Sequence, residues 1–90
     1  MTIDQQAKAL LLRKEVITYH ENGKIKKQYY RVNSEFDGEY KEWYKNGRLW
    51  IHCFYKNSKL NGEYKQLLED GKLFIHCLYK NGKVVKDYLK

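Results

Sequence analysis

The side chains best suited to metal binding or nucleophilic catalysis lie in a triplet, Ile-His-Cys, that ends at Cys53 and again at Cys77. Histidine and cysteine bind zinc, and a thiol beside an imidazole is a pairing used in covalent catalysis. In extended strands, His52 and His76 would lie opposite lysines on one face, and the cysteines would point to the other face. No nucleophile, base and orienting acid converge, so we predict no catalytic site, metal site or cofactor.

The two cysteines occupy equivalent positions, 24 residues apart. If each repeat is a hairpin, they lie two strands apart, about 9.5 Å, whereas a disulfide bond requires Cα atoms within about 7 Å. We expect both cysteines to be reduced and to pack as small apolar residues in the core.

A second candidate chemistry is phosphate binding by basic side chains. The 90-residue chain has 18 lysines and arginines against 11 acidic residues, a formal net charge of +7. The basic ladder consists of Lys41, Lys65, Arg48 and Lys72, with Trp43, Trp50 and Phe74 as candidate stacking platforms for bases. Glutamates lie among these lysines, so solubility of the sheet is the competing explanation.

These residues are positioned by a repeat of 24 residues, in which the segment Gly38-Glu39-Tyr40-Lys41 returns as Gly62-Glu63-Tyr64-Lys65. The period divides the chain into units 14–37, 38–61 and 62–85 and a partial unit 86–90, preceded by residues 1–13. Residues that recur in every unit build the array, and we expect function where the units differ.

Turn signals of the types Asn-Gly, Asp-Gly and Asn-Ser alternate at spacings of 11 and 13 residues, which leaves no room for helices between them. Asn-Gly and Asp-Gly favour two-residue type I′ turns, and Asn-Ser is a weaker signal. The predicted strands are 14–21, 24–32, 35–45, 48–56, 59–69, 72–80 and 83–90. We therefore predict a mainly β fold, a single twisted antiparallel sheet of sequential hairpins with about seven strands.

Alternation along the strands divides the side chains between two faces. On the predicted core face, Gly38 lies opposite Tyr55 and Gly62 opposite Tyr79, where glycine leaves room for the ring and permits a bend. On the other face, Trp43 is expected opposite Trp50. An apolar strip near the Asn-Gly turns is a candidate interface, and it consists of Tyr19, Trp43, Trp50, Leu67 and Phe74.

Residues 1–13 have a different pattern. Ile3, Ala7, Leu10 and Leu11 recur at helical spacing, which predicts a short helix that caps the first strand. The apolar stretch at 9–12 is too short for a signal peptide or a membrane span. We expect a cytoplasmic protein.

The pattern Gly-Glu-Tyr-Lys-x-Trp-Tyr-x-Asn-Gly-x-Leu at 38–49, followed by Tyr55-Lys56-Asn57-x-Lys59-Leu60-x-Gly62, resembles the MORN-repeat family in its variant form. The resemblance covers residues 14–90, although a second recurrent glycine pair is missing and Lys14 stands where glycine is expected. It implies an elongated sheet of stacked hairpins that serves scaffolding, oligomerisation or attachment rather than catalysis. Similar short repeat-only proteins occur in large DNA viruses of amoebae and in bacteria, where some are antitoxin-like.

Protein association is the leading functional prediction from the sequence. A single-layer sheet leaves two faces and two edges to cover, a shortage that a homodimer would resolve. The contact would use the apolar strip or the final strand around Val84–Tyr88. The alternatives are binding of nucleic acid or another anionic surface, and antitoxin-like binding of a toxin. The expected location is the cytoplasm, that of the host if the protein is viral.

Overall fold

The computed structural model describes residues 12–90. The strands are β1 (Lys14–Tyr19), β2 (Ile25–Val32), β3 (Glu35–Phe36), β4 (Gly38–Trp43), β5 (Leu49–Lys56), β6 (Lys59–Leu60), β7 (Gly62–Leu67), β8 (Leu73–Lys80) and β9 (Lys83–Asp87). The helix predicted within residues 1–13 falls on residues 1–11, outside the described range. Within residues 12–90, no helix has the length and apolar character needed to cross a membrane.

All nine strands belong to one antiparallel sheet. Its order is β1-β2-β4-β5-β7-β8-β9, with the short strand β3 paired to β2 and β6 paired to β5. The molecule measures 45 × 37 × 16 Å, the proportions of a single layer. The predicted sheet of sequential hairpins is therefore confirmed, with seven strands in the main order.

The two short strands exist because glycine interrupts two of the predicted long strands. Gly38 and Gly62 have φ values of 105° and 119°, which side chains with a Cβ rarely adopt. Three residue steps along β2 correspond to five steps from Phe36 to Lys41 on its partner, so two residues leave the ladder at the break. The glycines permit a bend in the sheet, as predicted.

The predicted glycine pairs are observed, Gly38 with Tyr55 and Gly62 with Tyr79. Other groups fill the space beside the glycines, however. A Cβ added at Gly38 would lie 3.4 Å from the Arg13 guanidinium, and one at Gly62 would lie 3.4 Å from Phe54 Cβ. The side chains nearest to the missing Cβ atoms are therefore Arg13 and Phe54, at ordinary contact distance, and not the paired tyrosine rings.

The two-residue turn with positive φ at both positions forms at the Asn-Ser turns and, as predicted, at Asn81-Gly82, but not at the other turns that contain glycine. Both residues of Asn57-Ser58 have positive φ, 51° and 62°, which matches a two-residue type I′ turn. At Asn22-Gly23, Asn46-Gly47 and Asp70-Gly71 only the glycine has positive φ. In the second of these turns, Gly47 N donates to Tyr44 O while Tyr44 N donates to Arg48 O. This is a three-residue loop closed by a glycine bulge. Asn46 Oδ1 accepts the Arg48 N–H, a local bond that stabilises this alternative.

The three-residue loop shifts the register of the strands beside it. Glu42 lies opposite Ile51, the partner that a two-residue turn would also give it, but Trp43 lies opposite Leu49. The predicted pair of Trp43 with Trp50 is therefore wrong, because Trp50 is the extra residue of a β-bulge. Bulges change the direction of the side chains they contain, and this one removes Trp50 from its place across from Trp43.

The core face carries the two cysteines among aromatic rings. Cys53 and Cys77 are 1% and 7% exposed, and both thiols are free. Burial raises the pKa of the Cys53 thiol to about 12, so the group stays protonated and unreactive at neutral pH. The Tyr40 ring centroid lies 5.6 Å from that of Tyr29 and 5.7 Å from that of Tyr55, contacts that add to the stabilisation from buried area.

Successive hairpins are also joined at their Asn-Ser ends. Ser58 N donates to Phe36 O, and Phe36 N donates to Ser58 Oγ, both at 3.0 Å. One unit later, Gly82 N donates to Leu60 O at 2.8 Å. The turns thus connect neighbouring units as well as the strands within a unit.

Candidate interaction surfaces

The residues of the apolar strip predicted near the Asn-Gly turns differ in exposure according to their position in the sheet. Trp43, Trp50 and Leu67 are half-buried, whereas Tyr19 and Phe74 are 60% and 55% exposed. The half-buried residues belong to the middle of the sheet and have hairpins on both sides. Tyr19 lies in the edge strand β1, and Phe74 lies in β8, next to the opposite edge. The five residues therefore do not form a uniformly exposed strip.

Side chains near one turn hydrogen-bond to the main chain near the next turn. His20 Nε2 donates to Trp43 O, and the Tyr44 hydroxyl donates to Leu67 O, both at 2.8 Å. His20 and Tyr44 are equivalent in the repeat, and their counterpart in the third unit is Leu68, which has no donor. Sequence reasoning missed these residues, although a hydrogen-bonding side chain recurring at one position was a usable signal.

Two basic side chains beside these turns, Lys24 and the ladder residue Arg48, also bond to the main chain of the next turn. Lys24 Nζ donates to Asn46 O, and Arg48 Nη1 donates to Glu69 O, each at 3.3 Å. Arg48 is therefore partly engaged with the carbonyl of the next turn, which leaves it fewer N–H donors for a phosphate. Lys72 is the equivalent residue at the Asp70-Gly71 turn.

The ladder residues Lys41 and Lys65 each lie beside a glutamate that also contacts a histidine. Lys41 Nζ lies 3.7 Å from Glu39, and His52 Nε2 lies 2.8 Å from the same carboxylate. The hydrogen bond from His52, helped by the Lys41 charge, lowers the pKa of Glu39. The next unit repeats the group with Glu63, Lys65 at 3.5 Å and His76 at 3.3 Å.

His52 and His76 thus each have a carboxylate partner, which the sequence did not indicate. A group of one imidazole, one ammonium and one carboxylate can form ion pairs, and it contains no hydroxyl or thiol nucleophile of the serine or cysteine type. Within residues 12–90, no three His, Cys, Asp or Glu side chains are arranged to hold a metal ion.

Exposed apolar side chains concentrate at the last hairpin. Of the twelve large apolar side chains exposed within residues 12–90, seven lie between residues 68 and 89. We call these seven the C-terminal edge: Leu68, Leu73, Phe74, Val84, Val85, Tyr88 and Leu89. The candidate interface residue Phe74 belongs to this set. Leu67, another candidate, directly precedes Leu68, the first residue of the set.

Strand β9 forms the outer boundary of the C-terminal edge. Within the described residues β9 pairs with β8 alone, from Lys83 opposite Lys80 to Asp87 opposite Cys77. Val85 is an extra residue in this pairing, because the register shifts between Leu78 and Tyr79. Beyond the strand, Tyr88 N donates to His76 O at 2.8 Å. No strand within residues 12–90 pairs with the other main-chain side of β9.

Comparison with protein-family models returns the MORN repeat variant, matched over residues 14–33, 36–57 and 60–86. No curated protein and no solved structure matches the chain. The three matched segments cover most of the chain and follow the 24-residue units that the strands define. Repeats of this family are generally non-catalytic modules that bind proteins or membranes. The chain therefore belongs to the family of variant MORN repeats.

Proposed function

We propose that the protein is a non-enzymatic interaction module that forms a homodimer through its C-terminal edge. The observation that carries this proposal is the apolar character of the last hairpin. The end units of a repeat array require a polar outer face for solubility, yet Phe74, Val84 and Val85 are each more than half exposed. An apolar end of this kind is typical of a surface that a protein partner covers.

In this contact, strand β9 supplies main-chain hydrogen bonds, which are directional. An edge strand presents unpaired N–H and C=O groups, and pairing with a second strand satisfies them. The two lysines Lys83 and Lys86 lie in the same strand as Asp87. An antiparallel partner strand of the same sequence can therefore place unlike charges across from one another, which favours pairing of two copies.

The repeat also favours a closed pair over a chain of copies. In the sheet order, β9 follows β8 as β4 follows β2 and β7 follows β5, so β1 and β9 both occupy the position of the first strand of a unit. Inside the sheet each first strand is flanked by second strands, namely β2, β5 or β8. A β9-to-β1 contact would join two first strands and would not continue the array. Pairing of β9 with its own copy is two-fold symmetric and closes after two chains.

Sedimentation across a concentration series tests the proposal. We expect the wild type to reach twice its chain mass of 11.0 kDa. Val85→Glu should be monomeric, because two carboxylates would be brought close to the symmetry axis. Tyr19→Glu, at an equally exposed position in the opposite edge strand, is the matched control and should remain dimeric. A wild type that stays monomeric at high concentration, or a Val85→Glu variant that still dimerises, would contradict the proposal.

The binding of nucleic acid remains the second prediction from the basic charge. Titration with an oligonucleotide at increasing salt distinguishes it, since phosphate contacts weaken steeply as salt rises. The engagement of Arg48 with a turn carbonyl and of Lys41 with Glu39 favours the protein interface. Antitoxin-like binding of a separate toxin, and a location in the cytoplasm, stay predictions.

A further inference from the structure

A groove of about 470 Å³ lies beside the turn between β4 and β5, and none of its lining residues belongs to the C-terminal edge. Its lining includes His20, Glu42, Tyr44 and Trp50. Glu42 is the most buried charged residue in the described chain, with 9% exposure. One of its carboxylate oxygens, Oε1, accepts the Tyr40 hydroxyl at 2.8 Å, and no ion pair joins Glu42 to another residue within 12–90.

The negative charge of Glu42 is not needed for this structural contact. In the next unit, Gln66 occupies the equivalent position, and its Oε1 accepts the Tyr64 hydroxyl at 3.2 Å. A neutral amide therefore does the same structural work in an otherwise similar hairpin. Burying a charge is unfavourable unless something compensates it, so the carboxylate at 42 indicates a function that the amide at 66 does not have.

Two aromatic rings form a platform beside this carboxylate. The ring centroids of Tyr44 and Trp50 are 5.3 Å apart with an interplanar angle of 29°. The hydrogen bond from the Tyr44 hydroxyl to Leu67 O holds the platform in place. The third unit has Leu68 and Phe74 at these positions, and the first unit has His20 and Lys26. The combination of a carboxylate with two rings therefore occurs only in the second unit.

The charged groups around the groove leave the carboxylate accessible to an incoming cation. Lys27 lies opposite Glu42 in the sheet, but its ammonium is not within ion-pair distance of that carboxylate. Lys45 and Glu69 also contribute to the lining, so one positive and one negative charge lie at the groove besides Glu42. A flat cation can thus reach Glu42 while its face lies against an indole or phenol ring.

We propose that this groove binds the guanidinium group of an arginine side chain presented by a polypeptide partner. Guanidinium is planar, stacks on aromatic faces and donates to a carboxylate in a fork, three properties that the rings and Glu42 match. The groove is larger than a guanidinium group alone, so the aliphatic part of the side chain would lie along Trp50. The site is separate from the proposed dimer contact and does not depend on it.

The test follows the indole N–H signals of the two tryptophans by ¹⁵N NMR, assigned with Trp50→Phe. Acetyl-Gly-Arg-Gly-amide should shift the Trp50 signal saturably, whereas the same peptide with citrulline, a neutral isostere of arginine, should not. Glu42→Gln should weaken binding at least about tenfold, since charge-assisted hydrogen bonds are roughly twice as strong as neutral ones. Gln66 shows that the amide is compatible with the fold.

Glu63→Gln is the matched control, because it removes the same charge from a different strand and leaves the groove unchanged. Equal weakening by Glu42→Gln and Glu63→Gln would overturn the site, since net charge alone would then explain binding. An absence of any saturable shift in the wild type would overturn it directly. Binding of free methylguanidinium as tight as that of the peptide would overturn the assignment of a polypeptide partner.

Discussion

The hydrogen bond from Tyr44 to the next hairpin gives the sharpest test of how the units hold together. Tyr44→Phe removes the hydroxyl that donates to Leu67 O at 2.8 Å and keeps the ring that stacks on Trp50. A typical intramolecular hydrogen bond contributes about 1 kcal/mol to the free energy of unfolding. For a domain of this size, each kcal/mol shifts the melting temperature by roughly 4–8 °C.

We therefore expect Tyr44→Phe to melt about 4–8 °C below the wild type in calorimetry or circular dichroism. Tyr19→Phe makes the same chemical change at a side chain that is 60% exposed, and it should change the free energy of unfolding by less than about 0.5 kcal/mol. Equal shifts for the two variants would refute the reasoning, because the loss could not then be assigned to the contact between units. A Tyr44→Phe variant as stable as the wild type would refute it as well.

Two further predictions concern the backbone and the ion pairs. Gly62→Ala should lower the free energy of unfolding by at least about 1–2 kcal/mol, because its φ of 119° is unfavourable for a residue with a Cβ, which would lie 3.4 Å from Phe54. Gly23→Ala, at φ 86° with open space around it, should cost less in a denaturant titration. The reverse order would contradict the argument. The pKa of Glu39 is lowered by its hydrogen bond from His52, so this contact should stabilise the fold above pH 4.5, and the stabilisation should be lost as pH falls below that value. Urea titrations at several pH values should show that Glu39→Gln loses less stability on acidification than the wild type. An identical acid profile for the two proteins would exclude this contact as a source of the pH dependence.

Much of the fold could be predicted because its determinants are local or periodic. Glycine at positions 38 and 62 marks the bends, since few other residues adopt those φ values. Alternation along the strands placed Gly38 opposite Tyr55 and Gly62 opposite Tyr79, as the structure has them. These features repeat in each unit, so each unit supports the interpretation of the others.

The candidate surfaces were predicted less well, for two physical reasons. The loop length at Asn46-Gly47 depends on competing local hydrogen bonds, and one additional loop residue produced the bulge that moved Trp50. Exposure depends on neighbouring hairpins, which is why Trp43 is half-buried while Phe74, of similar apolar character, is exposed. Neither effect is contained in the two-residue alternation from which the faces were assigned.

The sequence by itself determined the repeat, the hairpin order and the family, because chain stiffness, turn residues and a fixed period act over short distances. Only the tertiary structure decided which side chains meet between units. The contact of Tyr44 with Leu67, the engagement of Arg48 with Glu69, and the groove at Glu42 and Trp50 join residues of different strands or different hairpins. Their geometry depends on register, bulges and the number of neighbours, which are properties of the assembled sheet.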